Sequence, residues 1–348
     1  MSAERIEIAP MRAKPSWTDR LMDAVERGPL PYWIVYPALF LLEAAIFHLI
    51  GWQDGWVKPY TLERINFLYP LWAWFPLLAM TYLDGVAKQS LQAFASLLDD
   101  SPEDLARLEE EFTHMPPGPV IATGLIWVGV YALMMVISFG SFVRDYGLGN
   151  FAMLVSGLVG LVTFPVGGVL YYHTIRQLRL VSETVKRVRQ FNLFQLDPVY
   201  AFSRLTSQTG LFWLLLLTLT QLVFPANLLT VVSISLYVIM VVLVCAAFML
   251  PIWSVHHRLK DEKSRLISEA NQRLESKLEG LHRSLDADHL EEVVTIREAV
   301  CALVEEREIL SKIPTWPWRT GTLAGFVSAL ILPVILVLIQ VGLEKSIK

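Results

Sequence analysis

Seven runs of roughly 17–25 apolar residues, the length of helix that crosses a hydrocarbon core of about 30 Å, punctuate the chain. They lie at about 32–52, 66–83, 119–142, 151–173, 205–225, 228–252 and 320–342. With so many runs, most of the chain is committed to a solvent that offers its backbone no hydrogen bonds. Only helices and closed barrels survive there, and runs of this length predict helices. Composition agrees: of 348 residues 54% are hydrophobic and only 18% charged, against about 25% charged in a typical soluble domain. The fold class predicted is an all-α polytopic membrane protein with seven transmembrane helices.

Lys and Arg set the orientation, because short loops rich in them stay in the cytoplasm. Segments 1–31, 84–118, 174–204 and 253–319 hold 24 of the 29 basic residues, and the opposite loops hold 5. This bias predicts the N-terminus inside and the C-terminus outside. The organisation expected is a cytoplasmic N-terminal segment (1–31), six spans with cytoplasmic extensions (32–252), a cytoplasmic helical hairpin (253–319), and a last span with an outer tail (320–348). Multiple spans without a cleavable leader suggest an integral, multi-pass protein of the plasma membrane. A net charge of −4 gives no basic field for nucleic acid.

The hairpin is read from periodicity. Leu259, Leu266, Ala270, Leu274, Leu278, Leu281 and Leu285 recur at steps of three, four or seven, the spacing of one helix face, so span six should run on unbroken. A second stripe, Leu290, Val293, Val294, Val300, Cys301 and Val304, predicts a helix over 289–311. Span four should continue likewise as far as Asn192. Ser101-Pro102-Glu103-Asp104 reads as an N-cap, a Pro at the first helical position and an acidic first turn. Such stripes must bury a face, within one subunit or in a bundle shared between subunits.

Catalytic motifs are absent: there is no phosphate loop, no H-E-x-x-H and no G-x-S-x-G, and no enzyme or cofactor is expected. His256 and His257 are adjacent, so they point about 100° apart and do not suggest a metal site. Cys245 and Cys301 read as packing residues. Glu43, midway along span one, is the prime ionisable group inside a run; it ties two helices together or contacts a ligand or ion. Trp72 and Trp74, with Trp52, Trp56, Tyr60 and Tyr69, form either an interfacial aromatic belt or a small-molecule pocket. His173 falls at a span end, where snorkelling suffices. Pro165, Gly167 and Gly168 make span four resemble an interrupted helix, a feature of secondary transporters.

On a helical wheel of the last span, Thr322, Gly325, Ala329, Pro333, Leu336 and Gln340 share one small or polar face, with Val327, Ile331 and Leu338 opposite. The face packs on a neighbour in the same subunit, or it lines a pore around a symmetry axis. In the second case Leu336 is a dewetting constriction and Gln340 a ring of dipoles.

Here the chain resembles the insect odorant and gustatory receptor superfamily. The shared features are seven spans with N inside and C outside, cytoplasmic extensions of spans four to six, and a cytoplasmic helix before a final short span. That superfamily's last helix carries Thr-Tyr, five apolar residues, Gln and Phe. Residues 333–341 here match in the apolar run and Gln340, and differ at Pro333, Val334 and Val341. The resemblance implies a tetrameric, ligand-gated cation channel with a cytoplasmic anchor, a pore of final helices and a ligand pocket in the outer half of the spans. The function expected is thus an oligomeric ion channel in the lipid bilayer; the alternatives are a secondary transporter, or a sensor or scaffold whose cytoplasmic helices bind a partner.

Overall fold

The computed structural model describes residues 14–146, 150–188, 192–194, 196–223, 231–286 and 290–317, together with 324, 325, 328 and 331. Every regular element among them is helical: α1 (Trp17–Glu26), α2 (Tyr32–Gln53), α3 (Leu68–Phe94), α4 (Pro102–Thr113), α5 (Pro117–Tyr146), α6 (Asn150–Arg187), α7 (Asp197–Val223), α8 (Val231–Asp286) and α9 (Leu290–Lys312). Among the described residues four helical segments, Tyr32–Gln53, Pro102–Val136, Leu154–Arg187 and Asp197–Val223, are long and apolar enough to cross a membrane.

Local signals start the two polar helices. Ser16 and Asp19 form a reciprocal capping box on α1, and Ser101 accepts from the Asp104 N–H with Pro102 and two acidic residues in the first turn of α4. Each cap satisfies donors that a helix start leaves open.

The second apolar run becomes α3, which packs against α2, α4, α6 and α7. Most of it is buried, from Leu68 through Phe94, and Gly85, Lys88, Gln89, Gln92 and Ala93 in its last turns are exposed. A helix surrounded by protein can carry polar residues that its neighbours satisfy, and α3 does so with Thr81, Asp84 and Ser90. Ser90 Oγ, for example, donates to Ala201 O on α7 at 2.9 Å.

One end of the bundle is closed by a core of Phe94, Phe112, Phe202, Val181, Val185 and Leu259, drawn from α3, α4, α7, α6 and α8. The Phe94 and Phe202 ring centroids are 4.5 Å apart. The other end is an aromatic cluster of Phe47, Tyr69 and Tyr131.

Helix α6 runs unbroken through Pro165, so the interrupted helix expected from Pro165, Gly167 and Gly168 does not form. Three of its glycines instead admit aromatic rings, Gly167 taking the Trp72 indole of α3, where a Cβ would lie 2.6 Å from the ring. A Cβ on Gly160 would lie 2.1 Å from the Tyr131 ring, and one on Gly168 2.3 Å from Trp127. The small residues bring α5 against α6 rather than unwinding the helix.

Helix α8 continues from the sixth apolar run into the polar segment, as periodicity predicts, with Leu259 and Ala270 buried. It holds the ends of two other helices. Arg258 donates to Val185 O at 2.7 Å and to Val188 O, at the end of α6. Lys263 Nζ donates to Ser311 O at 2.6 Å and Ile313 O at 2.8 Å, at the end of α9. Positive side chains on these orphan carbonyls satisfy them and oppose the negative end of each helix dipole.

The stripe that α9 turns toward α8 differs in part from the one expected. Val293 and Val300 are half-buried with Ile296, Ala299 and Leu303, and Leu310 is buried, but Val294, Cys301 and Val304 are exposed. The apolar arc is wider than one partner helix covers, and Cys301 is therefore not a packing residue within the chain.

Candidate functional site

Helices α2 and α3 run antiparallel, and their seam is a series of pairs that descends one helix as it climbs the other. Thr81 donates to Leu77 O at 3.0 Å, so the Tyr36 hydroxyl is the donor in its 3.1 Å contact with Thr81. Next, Trp74 Nε1–H donates to Glu43 Oε2 at 2.6 Å. Phe47 then stacks on Tyr69 at 5.5 Å. Tyr131 donates to Ser156 O at 3.1 Å, which makes Tyr69 the donor to Tyr131 at 3.2 Å and ties the seam to α5 and α6.

Of the three candidate ligand residues, Glu43 and Trp74 are thus brought together. Trp72 is not. It leaves the other side of α3, donating to Thr220 Oγ1 on α7 at 3.1 Å and stacking on Phe164 of α6 at 5.9 Å. Both indoles obey one constraint, that a half-buried N–H finds an acceptor.

A groove of about 190 Å³ opens beside the seam, lined by Tyr36, Pro37, Phe40, Trp74, Phe75 and Leu219 among others. Glu43 Oε1 is buried with no hydrogen-bond partner among the described residues. Tyr36, Phe40 and Glu43 follow at helical spacing on one face of α2. The trough can hold an apolar molecule; Glu43 does not line it and is connected to it through Trp74.

At the far end of α2, His48 Nδ1–H donates to Ala44 O at 2.7 Å and Nε2 accepts from the Glu63 N–H at 3.0 Å. With Trp52 donating to Thr61 O at 2.9 Å, this folds loop 54–63 back on the helix. Trp52 therefore has a loop partner besides any headgroup role.

Thr322, Ala329, Pro333, Leu336 and Gln340 lie outside the described residues. Gly325 is described: it is helical and exposed, with nothing within 4 Å of the position a Cβ would take. Ile331, from the opposite side of the wheel, is 50% exposed. The approach to this segment is held on α8, where His256 Nδ1–H donates to Thr315 O at 3.1 Å and its ring stacks on Trp316 at 3.8 Å. His256 and His257 therefore serve different neighbours, since His257 Nδ1–H donates to Trp253 O at 3.0 Å. No group of metal-ligating side chains occurs among the described residues.

A third site escaped the sequence reading. His173 does not snorkel; it is 2% exposed. Its Nε2 lies 2.8 Å from Asp84 Oδ1 on α3, which also accepts from Gln177 Nε2 at 3.0 Å. Gln177 Nε2 in addition donates to Phe112 O at 3.3 Å. Close by, Asp19 Oδ2 accepts from the Ser16 N–H at 2.9 Å and the Met115 N–H at 3.0 Å, docking α1 on the turn between α4 and α5. Asp84 follows directly on the apolar run 66–83. Burial pushes its carboxyl above the ordinary value of 3.8, with the His173 imidazole pulling the other way. The available signal was that Asp84 follows run two and His173 ends run four on the same side of the predicted bundle.

Comparison with protein-family models, with curated proteins and with solved structures gave no match.

Proposed function

We propose that this chain is a subunit of an oligomeric ion channel, a homotetramer in the plasma membrane, with seven spans, the N-terminus inside, the C-terminus outside, and the last span lining the pore. One observation carries the reading. Gly325 and Ile331, from opposite sides of the last helix, are both exposed in the single chain, while Lys263 and His256 hold the approach to that helix on α8. A segment delivered by fixed contacts and left uncovered by its own subunit suits assembly around an axis. The exposed stripe of Val294, Cys301 and Val304 on α9 suits subunit contacts below the membrane. Thr322, Gly325, Ala329, Pro333, Leu336 and Gln340 form the conduction face, and the ions conducted are cations, as in the superfamily the chain resembles. The gating ligand is a small apolar molecule seated in the groove against Trp74, whose indole is held by Glu43.

Reconstitution of the full chain into planar bilayers tests this. Unitary currents are expected, with conductance altered in Leu336→Ala and Gln340→Ala. A monomeric particle after mild extraction, or silent bilayers, overturns it.

The buried Asp84–His173 pair favours a second reading, a proton-coupled secondary transporter. Substrate flux without unitary currents, sensitive to Glu43→Gln, would select it.

A further inference from the structure

Helix α1 is fastened to the bundle at the level where two apolar helices begin. Asp19 Oδ2 accepts from the Met115 N–H at 3.0 Å, two residues ahead of the start of α5 at Pro117. Residues 27–31 are all that separate its last turn from α2 at Tyr32. Met22 packs in one core with Tyr36, Met115 and Val120, so the starts of α2 and α5 lie at the same end of the bundle. Both helices belong to segments long and apolar enough to cross a membrane. For spans entered there, α1 lies at the depth of the lipid headgroups.

The circumference of α1 divides to match. Taking about 100° per residue, Trp17, Leu21 and Ala24 fall within about 60° of one another, and all three are exposed. Next around the helix, Thr18, Met22 and Asp19 are buried against the bundle. Opposite the apolar arc stand Glu26, exposed, and Asp23, half-buried. Arg20 and Arg27 fill the gap between these acids and Ala24. The exposed apolar surface continues through the turn into Leu30 and Trp33, 53% and 61% exposed. Charge is available at its border. Arg20 Nε donates to Ser16 O at 3.3 Å, and the guanidinium makes no other bond among the described residues. Lys14, just ahead of the helix, is exposed as well, whereas Arg27 is paired with Asp23 at 3.2 Å.

Trp and Leu on one side of a helix with Arg at their border is the pattern of helices that lie in the membrane surface. Trp favours the headgroup zone, and a guanidinium bonds phosphate oxygens. We propose that α1 is an interfacial helix that seats on anionic lipid, with Trp17, Leu21 and Ala24 toward the acyl chains and Arg20 on a headgroup phosphate. Its occupant is lipid, because the apolar arc runs on into the flank of α2, a helix whose length and hydropathy fit a bilayer. The inference rests on the reading that α2 and α5 cross the membrane, and it requires no conduction.

The test places spin labels on the full chain in vesicles, one at a time, at Ala24→Cys, Glu26→Cys and Leu41→Cys, all exposed positions, with Cys245 and Cys301 replaced by Ser. Each label reads collisions with oxygen, which concentrates among acyl chains, and with a neutral nickel chelate, which stays in water. In phosphatidylglycerol vesicles the Ala24 and Leu41 labels should meet oxygen and lose nickel, and the Glu26 label should do the reverse. Arg20→Gln should raise nickel collisions at Ala24 about fivefold there, the effect of one basic residue at an anionic leaflet, and leave them unchanged in phosphatidylcholine vesicles. An Ala24 label that nickel reaches as freely as Glu26, or one that protein shields from both probes, overturns the proposal. So does an Arg20→Gln effect that is equal in the two lipids or absent from both. Nickel contact at Leu41 overturns the spanning reading along with it, whereas a dry Leu41 beside a wet Ala24 removes the α1 proposal alone.

Discussion

Trp74 and Glu43 meet across the seam of α2 and α3 with the indole nitrogen 2.6 Å from the carboxyl oxygen. The bond lies between a contact of two hydroxyls, Tyr36 and Thr81, and a stacked pair, Phe47 and Tyr69. It therefore locks the register of two helices as well as satisfying two polar groups. Replacing Glu43 with Ala leaves the indole N–H buried and unpaired, a cost of about 1–3 kcal/mol. Glu43→Gln keeps an acceptor and should cost less than half as much. Thermal unfolding in detergent, followed by tryptophan fluorescence, separates the two.

Gly160 and Gly168 should behave opposite to helix propensity. In an exposed helix Gly→Ala gains about 1 kcal/mol. Here the added methyl would meet Tyr131 at 2.1 Å or Trp127 at 2.3 Å, and neither ring can withdraw without moving α5. Each substitution should destabilise by about 1–3 kcal/mol, the usual cost of overpacking. Gly160→Ala should also release the Tyr131 hydroxyl from Ser156 O. Lower melting temperatures for both variants are the expected result, and an unchanged or higher one refutes the packing described.

Phe202 sits between Phe94 and Phe112 where α3, α4 and α7 join. Phe202→Ala should lose about 3–5 kcal/mol, against a small change for the exposed Phe194→Ala. Unfolding curves of the two variants under one condition provide the comparison.

Asp84 gives a stability slope with a definite sign. Burial raises its folded value above 3.8, so the folded state holds the proton more firmly than the unfolded chain does. The stabilisation this provides is complete below the unfolded value and is lost as pH rises through the folded one. Asp84→Asn should lack that loss, so the gap between variant and wild type should shift in the variant's favour as pH is raised from the ordinary Asp value. Denaturant midpoints across that window measure it.

Cys301 offers a reading of assembly. Its thiol is exposed in the single chain, whereas Cys245 is half-buried. Maleimide should modify Cys301 rapidly in dispersed subunits and slowly in an assembled particle. Equal rates in both would remove Val294, Cys301 and Val304 from any subunit contact.

Much of the architecture was legible because long apolar runs and a period of 3.6 leave little choice. The runs at 32–52, 119–142 and 151–173 lie within α2, α5 and α6, and the start of α4 falls where its Ser-Pro-Glu-Asp signal puts it. Legibility failed wherever a residue's meaning depended on its neighbour across space. Gly167 and Gly168 carry the same letters whether they unwind a helix or admit an indole. His173 looks interfacial from its position in a run, and only its contact with Asp84 on another helix shows it buried. Trp72 and Trp74, two residues apart, leave α3 in nearly opposite directions, a split that clustering in sequence conceals. On α9 the apolar arc was visible, but which part of it faces α8 depended on how the hairpin closes.

The grips that Arg258 and Lys263 exert from α8 have a mechanical corollary. Five residues apart on one rigid rod, they clasp the tail of α6 and the tail of α9, the latter just ahead of the last hydrophobic segment. An axial twist of that rod drags both tails together, so a strain arising on the α6 side is geared to the segment that follows α9 with little slack between them.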